Sequence, residues 1–314
     1  MKPRPILTIT LNPALDLTGD LAELNPGHVN VMQSGHLHPA GKGINVARVL
    51  KDLGAQIRVS GFLGADNAAP FLALFADYGF DDRFAVIPGA TRINVKLVEQ
   101  NARVTELNFP GVNVTPQSTH AFTELLPALA SDVRYVVLAG SLPRGVPSAL
   151  LRQWLGLLTQ AGKKVLFDSS AEAFAEGLKA SPWLIKPNQH ELADWAGEPL
   201  ESQAALMAAA EALQASHGIE HVVVSRGADG VLWLAGEQWW QAAAPRMEVV
   251  STVGAGDSMV AGFAWGLSQH LGIEQTLRLA CAVSALAVTQ IGVGVTDQQK
   301  LANLMSNVKI ASIR

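Results

Sequence analysis

An α/β fold with a mostly parallel sheet is the fold class that the sequence predicts, and two observations indicate it. Short apolar runs that end at Gly, Asn, Asp or Ser recur along the chain, and helical patterns lie between them. Runs of Val, Ile and Leu of this length are typical of strands buried on both faces, as in parallel sheets. Strands that alternate with helices build such a sheet, and its ligands bind beyond the carboxyl ends of the strands.

The individual elements follow from these runs. The predicted strands cover residues 6–11, 135–139, 165–167, 183–185 and 222–224. A first helix is predicted because apolar residues recur at helical spacing from Val46 to Leu53 and stop at Gly54. The same pattern predicts further helices over residues 150–158, 206–213, 259–271 and 277–288.

Two stretches break the alternation of strand and helix. Residues 92–98 alternate polar and apolar side chains, so a strand there would carry Arg92, Asn94 and Lys96 on one face. A turn at 99–102 and a returning strand at 103–109 follow, and residues 12–35 also predict short strands without a helix. We therefore expect one domain over residues 1–314, with a small antiparallel sheet, here called the lid, formed by about residues 12–35 and 91–112.

Composition excludes several classes of protein. Hydrophobic residues make up 49% of the 314 residues and charged residues 16%, which is typical of a globular enzyme. The net charge of −4 and the lack of a basic run argue against a nucleic-acid partner. Cys281 is the only cysteine, so neither an internal disulfide nor a Cys/His zinc cluster can form. We expect no membrane association and a cytoplasmic location, because the N-terminus becomes polar too early for a signal peptide and no apolar run reaches the roughly 18 residues of a membrane span.

The segment Gly254-Ala255-Gly256-Asp257-Ser258 precedes an apolar helix and is the most informative motif. Small residues let a ligand approach the backbone closely, and the N–H groups at a helix start favour an anion. A carboxylate beside such an anion hole suits phosphoryl transfer to a hydroxyl, because it can accept the hydroxyl proton. The alternative is an ordinary helix N-terminus with a capping Asp257.

A second glycine turn, Gly41-Lys42-Gly43, also opens a helix and is followed by Asn45. It adds a cation and an amide to the same anion-binding arrangement, although it lacks the spacing of a Walker A loop. On its own it predicts only a tight turn between a strand and a helix. Two such helix starts in one α/β chain favour two anionic ligands, such as a nucleotide and a phosphorylated substrate.

Three further segments are weaker signals. Asn188 and Glu191 follow a buried strand and share a helix face, and an amide with a carboxylate suits Mg²⁺, although a simple helix cap is the alternative. Residues 225–230 form a glycine-bounded turn between two strand-like runs, which alone indicates a hairpin. Asp16 follows the first strand and could bind sugar hydroxyls, or it could be a turn residue.

Taken in order, these segments resemble the PfkB (ribokinase-like) carbohydrate kinases over essentially the whole chain. GAGDS resembles the C-terminal signature of the family and GKGINVAR the glycine-rich N-terminal one, while TLNPALD, TRIN, AGSLP, KPNQHE and SRGADG fall at the expected intervals. The resemblance implies a three-layer domain with a β-sheet lid that often forms a dimer contact. It also implies MgATP as the phosphoryl donor and a small sugar phosphate as the partner.

The resemblance implies a role for each matching residue. The catalytic set is Asp257 as base with an anion hole of Gly254, Ala255 and Gly256. The sugar phosphate would be bound by Asp16, Gly41, Lys42, Asn45, Arg92 and Ser141. The nucleotide would be bound by Lys186, Asn188, Ser225, Gly227, Gly230, Thr252 and Gly254. Glu191 and Asn188 would organise Mg²⁺, through water or phosphate.

Within the family, AGKGINVARVLKDLG, GFLGADN, TRINVKL and residues 167–170 are most similar to members that phosphorylate fructose 1-phosphate. Tagatose 6-phosphate and fructose 6-phosphate are the alternative acceptors. Ala40 and Lys42 stand where some fructose-6-phosphate kinases carry Gly, and His28 and Asn30 where those enzymes carry basic residues, so both differences disfavour fructose 6-phosphate. A catalytically silent sugar-binding regulator is the alternative outside the enzymes. The role of Arg226 is open.

Overall fold

The computed structural model describes residues 4–101, 103–290 and 292–313, which form two β-sheets and a set of helices. The larger sheet has ten strands in the order β14-β13-β12-β11-β10-β9-β8-β1-β4-β5. Its strands are β1 Ile6–Thr10, β4 Ile57–Gly64, β5 Asp81–Ile87, β8 Tyr135–Ala139, β9 Lys164–Asp168, β10 Leu184–Ile185, β11 His221–Ser225, β12 Val231–Ala235, β13 Gln238–Ala243 and β14 Lys309–Ser312. The run from β11 to β5 is parallel, and β12, β13 and β14 extend it as an antiparallel edge.

Helices cover both faces of this sheet. They are α1 Lys42–Asp52, α2 Ala69–Tyr78, α3 Pro116–Leu129, α4 Ser148–Gln160, α5 Ala171–Leu178, α6 Gln189–Ala196, α7 Gln203–His217, α8 Ala255–Ser268, α9 Ile273–Ala287 and α10 Gln298–Asn307. Alternate strand residues enter two separate cores: in β8, Val137 belongs to the core that includes residues of α1, α8 and α9, whereas Val136 and Leu138 belong to the core that includes residues of α3, α4 and α7. This period of two places the sheet between two helical layers. The predicted α/β fold with a mostly parallel sheet is therefore confirmed.

The predicted helices correspond to α1, α4, α7, α8 and α9, and each of these begins earlier than expected. The helix predicted over 259–271 is α8, which starts at Ala255 and ends at Ser268. Asp257 therefore lies inside its first turn instead of preceding it. Among the described helices, none is long and apolar enough to cross a membrane.

The lid is a four-stranded sheet in the order β3-β2-β6-β7, formed by β2 Ala14–Leu21, β3 Ser34–Ala40, β6 Arg92–Glu99 and β7 Val104–Leu107. The expectation of a purely antiparallel sheet is wrong, because β2 and β6 pair in parallel. β2 continues from β1 and β6 follows β5, two strands of the parallel run, so both enter the lid in the same direction. β3 extends to Ala40, beyond the expected boundary at residue 35. Ala102, in the predicted turn, lies outside the described residues.

Candidate active site

Polar side chains gather at the carboxyl ends of the parallel strands, and two of them, Ser141 and Lys186, belong to the predicted site. Asn12 follows β1, Ser141 follows β8, Asp168 ends β9 and Lys186 follows β10. Asn12 Nδ2 donates a hydrogen bond of 3.1 Å to Ser141 Oγ, so the ends of two neighbouring strands are joined at this edge. This is the edge at which open α/β sheets bind their ligands.

Asp257 lies in the first turn of α8, behind a glycine at the helix N-cap. Gly254 has φ 80°, and a Cβ there would lie 2.1 Å from Val293 Cγ1, so the turn requires glycine on both grounds. No side chain caps α8, and the first N–H groups of a helix have no partner within it. The segment therefore presents backbone donors and the positive end of the helix dipole beside a carboxylate.

The environment of Asp257 makes it a weaker acid than usual. Its burial is the main cause and raises the pKa from 3.8 to about 6, and the charge of Asp168 adds to this. Asn45 Nδ2 donates a hydrogen bond of 2.8 Å to Asp257 Oδ2, which acts in the opposite direction because it stabilises the ionised form. A carboxylate with a pKa near 6 is ionised at neutral pH and remains basic enough to accept a proton.

Two lysines share one buried carboxylate beside Asp257. Lys42 Nζ lies 3.0 Å from Asp168 Oδ2, and Lys186 Nζ lies 3.3 Å from Asp168 Oδ1. Burial disfavours the ionised Asp168, but the two ammonium groups outweigh it and hold the pKa of Asp168 below its ordinary value. A Cβ on Gly256 would lie 3.6 Å from Lys186 Nζ, so this ammonium group faces the glycine turn at the start of α8.

Asp168 was missed as a site residue. The available signal was an aspartate at the carboxyl end of a predicted strand, in the stretch that already resembled the family. Lys42 was expected to bind the sugar phosphate. In the structure its ammonium group is paired with Asp168, although its side chain keeps 39% exposure. The pKa of Lys42 is raised, because Asp168, Asp257 and Glu191 together outweigh the effect of burial.

Asp16 lies on the face of the lid that carries the polar side chains. Lys96 Nζ lies 2.7 Å from Asp16 Oδ2, and Asn94 Nδ2 lies 3.2 Å from Asp16 Oδ1. Asp16, Asn94 and Lys96 are largely buried. Lys96 was not predicted as a site residue, although the alternating pattern placed it on the same face as Arg92 and Asn94.

Arg92 and Lys42 were both expected to bind the sugar phosphate, and in the structure their side chains make contacts in different places. Arg92 donates to the backbone carbonyls of Asn12 at 3.1 Å and Pro13 at 3.3 Å. Burial lowers the pKa of Arg92, with a smaller opposing effect from Asp16. The guanidinium group therefore braces the chain between β1 and β2, whereas Lys42 bonds with Asp168.

Most of the residues predicted to bind the nucleotide lie at or just after the carboxyl ends of β10 and β11. Asn188 and Glu191 form a capping box at the start of α6, with two hydrogen bonds of 2.9 Å, and Asn188 pairs with Ser225 across a β-bridge. Gly230 has φ 86°, and a Cβ there would lie 2.0 Å from Ala242 O. Arg226, whose role was open, donates to Gln203 Oε1 and Asp229 O, both at 2.9 Å. It therefore braces the 225–230 turn.

The donor set around Glu191 can be compared with the needs of Mg²⁺. The described residues contain no group of three or more His, Cys, Asp or Glu side chains able to hold a metal. Mg²⁺ commonly takes one or two carboxylates and fills its other positions with water and substrate phosphates. The capping box engages only Oε2 of Glu191, so Oε1 remains for such a role. The donors therefore fit an ion that arrives with a nucleotide.

The chain is similar to known carbohydrate kinases in both sequence and structure. Residues 9–300 match the pfkB family of carbohydrate kinases. The chain is 51% identical over 310 residues to 1-phosphofructokinase of Vibrio cholerae, a match that covers 99% of this chain and 98% of the relative. It is 48% identical over 307 residues to 1-phosphofructokinase of Escherichia coli, covering 98% of both chains. The structure of Escherichia coli phosphofructokinase-2 in complex with substrates and products superposes with a TM-score of 0.87 at 26% identity, covering 96% of this chain and 98% of that one.

Proposed function

The chain belongs to the pfkB family of carbohydrate kinases, and from that premise we propose that it transfers the γ-phosphoryl group of ATP to the 6-hydroxyl of fructose 1-phosphate. The products are fructose 1,6-bisphosphate and ADP. The observation that carries this proposal is the position of Asp257, a buried carboxylate in the first turn of α8, next to the Lys42–Asp168–Lys186 cluster. Phosphoryl transfer needs a base, an anion hole and cations within one site.

In the proposed reaction, Asp257 accepts the proton of the sugar hydroxyl. The hydroxyl oxygen forms a bond to the γ-phosphorus while the bond from that phosphorus to the β,γ-bridging oxygen breaks, and the electron pair leaves with ADP. The backbone N–H groups of Gly254, Ala255 and Gly256 stabilise charge on the moving group. Lys186 faces the same turn and adds a positive charge there.

The remaining roles divide between the two substrates. Asp16, Asn45 and Ser141 bind sugar hydroxyls, and Gly41, Lys42 and Arg92 bind the sugar phosphate. Ser225, Gly227, Gly230 and Thr252 line the nucleotide. Asn188 and Glu191 would hold Mg²⁺ through water and phosphate, and the ion would supply positive charge to offset that of the nucleotide phosphates.

Fructose 1-phosphate is favoured as the acceptor by the relatives named 1-phosphofructokinase, which match at 48–51% identity over nearly the full chain. Fructose 6-phosphate is the competing acceptor, because it is bound in one structure of Escherichia coli phosphofructokinase-2, at 24% identity. Tagatose 6-phosphate is the third. A silent regulator is disfavoured, because Asp257 and its glycine turn are intact.

We also propose a cytoplasmic homodimer that assembles through the outer face of the lid. Opposite Asp16, a row formed by Leu37, Leu17, Val95 and Leu107 crosses all four lid strands. Its two ends are uncovered, with Leu37 50% and Leu107 49% exposed. A second copy would remove this row from water. The relative phosphofructokinase-2 has been described in a tetrameric inhibited form, so larger assemblies occur among similar proteins.

A coupled assay of ADP release tests the proposed reaction. The acceptors are fructose 1-phosphate, fructose 6-phosphate, tagatose 6-phosphate and free fructose, each with MgATP. We expect the highest kcat/KM with fructose 1-phosphate and formation of fructose 1,6-bisphosphate. A higher value with either 6-phosphate would assign the enzyme to that acceptor, and no ADP release with any sugar would support the silent regulator.

A further inference from the structure

Asp16, Asn94 and Lys96 form a polar cluster on the inner face of the lid, and Lys96 makes its shortest contact. Its ammonium group lies 2.7 Å from Asp16 Oδ2, and Asn94 bonds the other oxygen of the same carboxylate. The side chains of Lys96 and Asp16 are only 12% and 9% exposed, so water screens this pair weakly. Asp16 lies on β2 and Lys96 on β6, and these strands pair in parallel with Asp16 opposite Asn94.

The position of Asp16 poses an electrostatic problem for a sugar-phosphate kinase. A buried carboxylate is a good acceptor for sugar hydroxyls, but its charge repels a phosphate dianion bound to the same sugar. In a poorly screened pocket this repulsion is much larger than in water. A cation in direct contact with the carboxylate offsets most of this repulsion. The carboxylate oxygens still have lone pairs that can accept hydrogen bonds from sugar hydroxyls.

We infer that Lys96 is a positioning and specificity residue that lets the site combine hydroxyl recognition by Asp16 with binding of a phosphorylated sugar. It holds the carboxylate in one orientation and cancels its charge toward the substrate phosphate. The inference rests on the proposed function, because it assumes a phosphorylated acceptor. It concerns the ratio of kcat/KM for fructose 1-phosphate to kcat/KM for free fructose, here called the phosphate preference.

The simpler alternative is that the ion pair only stabilises the lid. The chain offers a matched control for this, because Glu99 and Arg103 form another ion pair in the same sheet, at the far end of β6. Glu99 is buried and Arg103 is exposed, and neither has been assigned a role in the site. Arg103→Met therefore removes a lid ion pair without changing charge next to the proposed sugar site.

The experiment compares Lys96→Met, Asp16→Asn, the double variant and Arg103→Met in the same assay. Lys96→Met leaves the Asp16 charge uncompensated, so the phosphate preference should fall at least about tenfold, mainly through KM for fructose 1-phosphate. Asp16→Asn leaves the Lys96 charge uncompensated. That variant should lose activity with both sugars, but its phosphate preference should rise. The double variant has neither charge and should lie between the two.

Opposite changes of the phosphate preference in the two single variants support the inference, and Arg103→Met should leave it unchanged. Equal losses with both sugars in Lys96→Met would overturn it, as would a fall of the preference in Asp16→Asn. Lys96→Arg keeps the charge and should retain most of the preference, which covers the case in which Lys96→Met does not fold. A wild-type protein inactive on fructose 1-phosphate would instead contradict the proposed function itself.

Discussion

The side-chain amide of Asn45 donates a 2.8 Å hydrogen bond to the carboxylate of Asp257, and this contact joins the first turns of two helices. Both helices have a glycine at the N-cap, Gly41 in α1 and Gly254 in α8. Asn45 and Asp257 are 212 residues apart in sequence, so two distant glycine turns converge on one carboxylate. The sequence suggested two separate anion sites, and the structure joins them through this bond.

Asn45→Ala should move the acid limb of the pH–rate profile upward. The limb in the wild-type protein is expected near pH 6, where Asp257 becomes protonated and can no longer act as a base. Because the Asn45 hydrogen bond stabilises the ionised form, its loss should raise the limb by about one pH unit. The measurement is kcat/KM for fructose 1-phosphate from pH 5 to 9. An unmoved limb would show that the Asn45 hydrogen bond does not set the pKa of the catalytic base.

Asp257→Asn should lower kcat at least about 10²-fold, the usual scale for removing a general base. Binding of ATP should persist, since the nucleotide is proposed to lie against other residues.

The Asp257→Asn change should also stabilise the fold. The pKa of Asp257 is raised from 3.8 to about 6, so above pH 6 its ionised form costs up to about 3 kcal/mol. Denaturant unfolding at pH 8 and pH 4 checks this, because the gain should be present at pH 8 and shrink toward pH 4.

Near-normal turnover in Asp257→Asn would remove Asp257 from the proposed mechanism. A matched control is Asp77→Asn, since Asp77 lies on the exposed side of α2. This control should leave kcat and unfolding free energy nearly unchanged.

The sequence predicts those parts of the site that depend on local structure. Asp257 was found because glycine turns and helix starts have signatures within a few residues, and the same holds for Gly41 and Asn188. The pairing of Lys42 with Asp168 spans 126 residues, and that of Lys96 with Asp16 spans 80. Such pairs depend on which strands become neighbours. Single-sequence patterns do not determine this, so Asp168 and Lys96 were missed.

The direction of the lid strands was mispredicted for the same reason. The alternating pattern of residues 92–98 shows that a strand has two different faces, but it carries no information about its partner. β6 pairs with β2 in parallel because both strands continue from the carboxyl ends of parallel strands in the larger sheet. The polar side of the pattern, which would normally be expected in water, faces Asp16 instead.

His221 should make the fold sensitive to acid. It packs at the edge of Trp183, with ring centroids 4.6 Å apart, and burial lowers its pKa from 6.5 to about 4. The folded state therefore keeps His221 neutral between pH 6.5 and 4 while the unfolded state binds a proton. The contribution is fully present above pH 6.5, and up to about 3 kcal/mol is lost as the pH falls to 4.

His221→Phe should flatten this part of the stability profile, measured as unfolding free energy in urea from pH 7 to 4. Asp257 titrates with the opposite sign over part of the range, so the informative quantity is the difference between variant and wild type. His120→Phe, on the exposed side of α3, is the control. Parallel profiles for wild type and His221→Phe would show that His221 does not cause the acid sensitivity.

Leu107→Glu should convert the proposed homodimer into monomers. Leu107 ends the apolar row on the outer face of the lid and is 49% exposed, so a buried carboxylate there would oppose contact with a second copy. The measurement is molar mass by light scattering over a range of concentrations. Leu125→Glu, which also places a charge at an exposed apolar position but on α3, should keep the wild-type mass. A monomeric wild-type protein would contradict the dimer proposal.

Lys42→Ala should reduce kcat/KM for fructose 1-phosphate by roughly 10- to 150-fold, the range for one charge-assisted hydrogen bond. Free fructose should be affected less, because it carries no phosphate for the ammonium group to bind. However, Lys42 also neutralises Asp168 at 3.0 Å, and its loss leaves that buried carboxylate with Lys186 alone. A decrease in activity could therefore arise from either role.

The double variant Lys42→Ala/Asp168→Asn separates these two roles. If Lys42 serves only as a counter-ion for Asp168, removing both charges should recover much of the activity lost in Lys42→Ala. If Lys42 binds the substrate phosphate, the double variant should remain impaired with fructose 1-phosphate, and its KM for that sugar should stay high. Equal losses with fructose and fructose 1-phosphate in Lys42→Ala, together with recovery in the double variant, would show that Lys42 does not bind the phosphate.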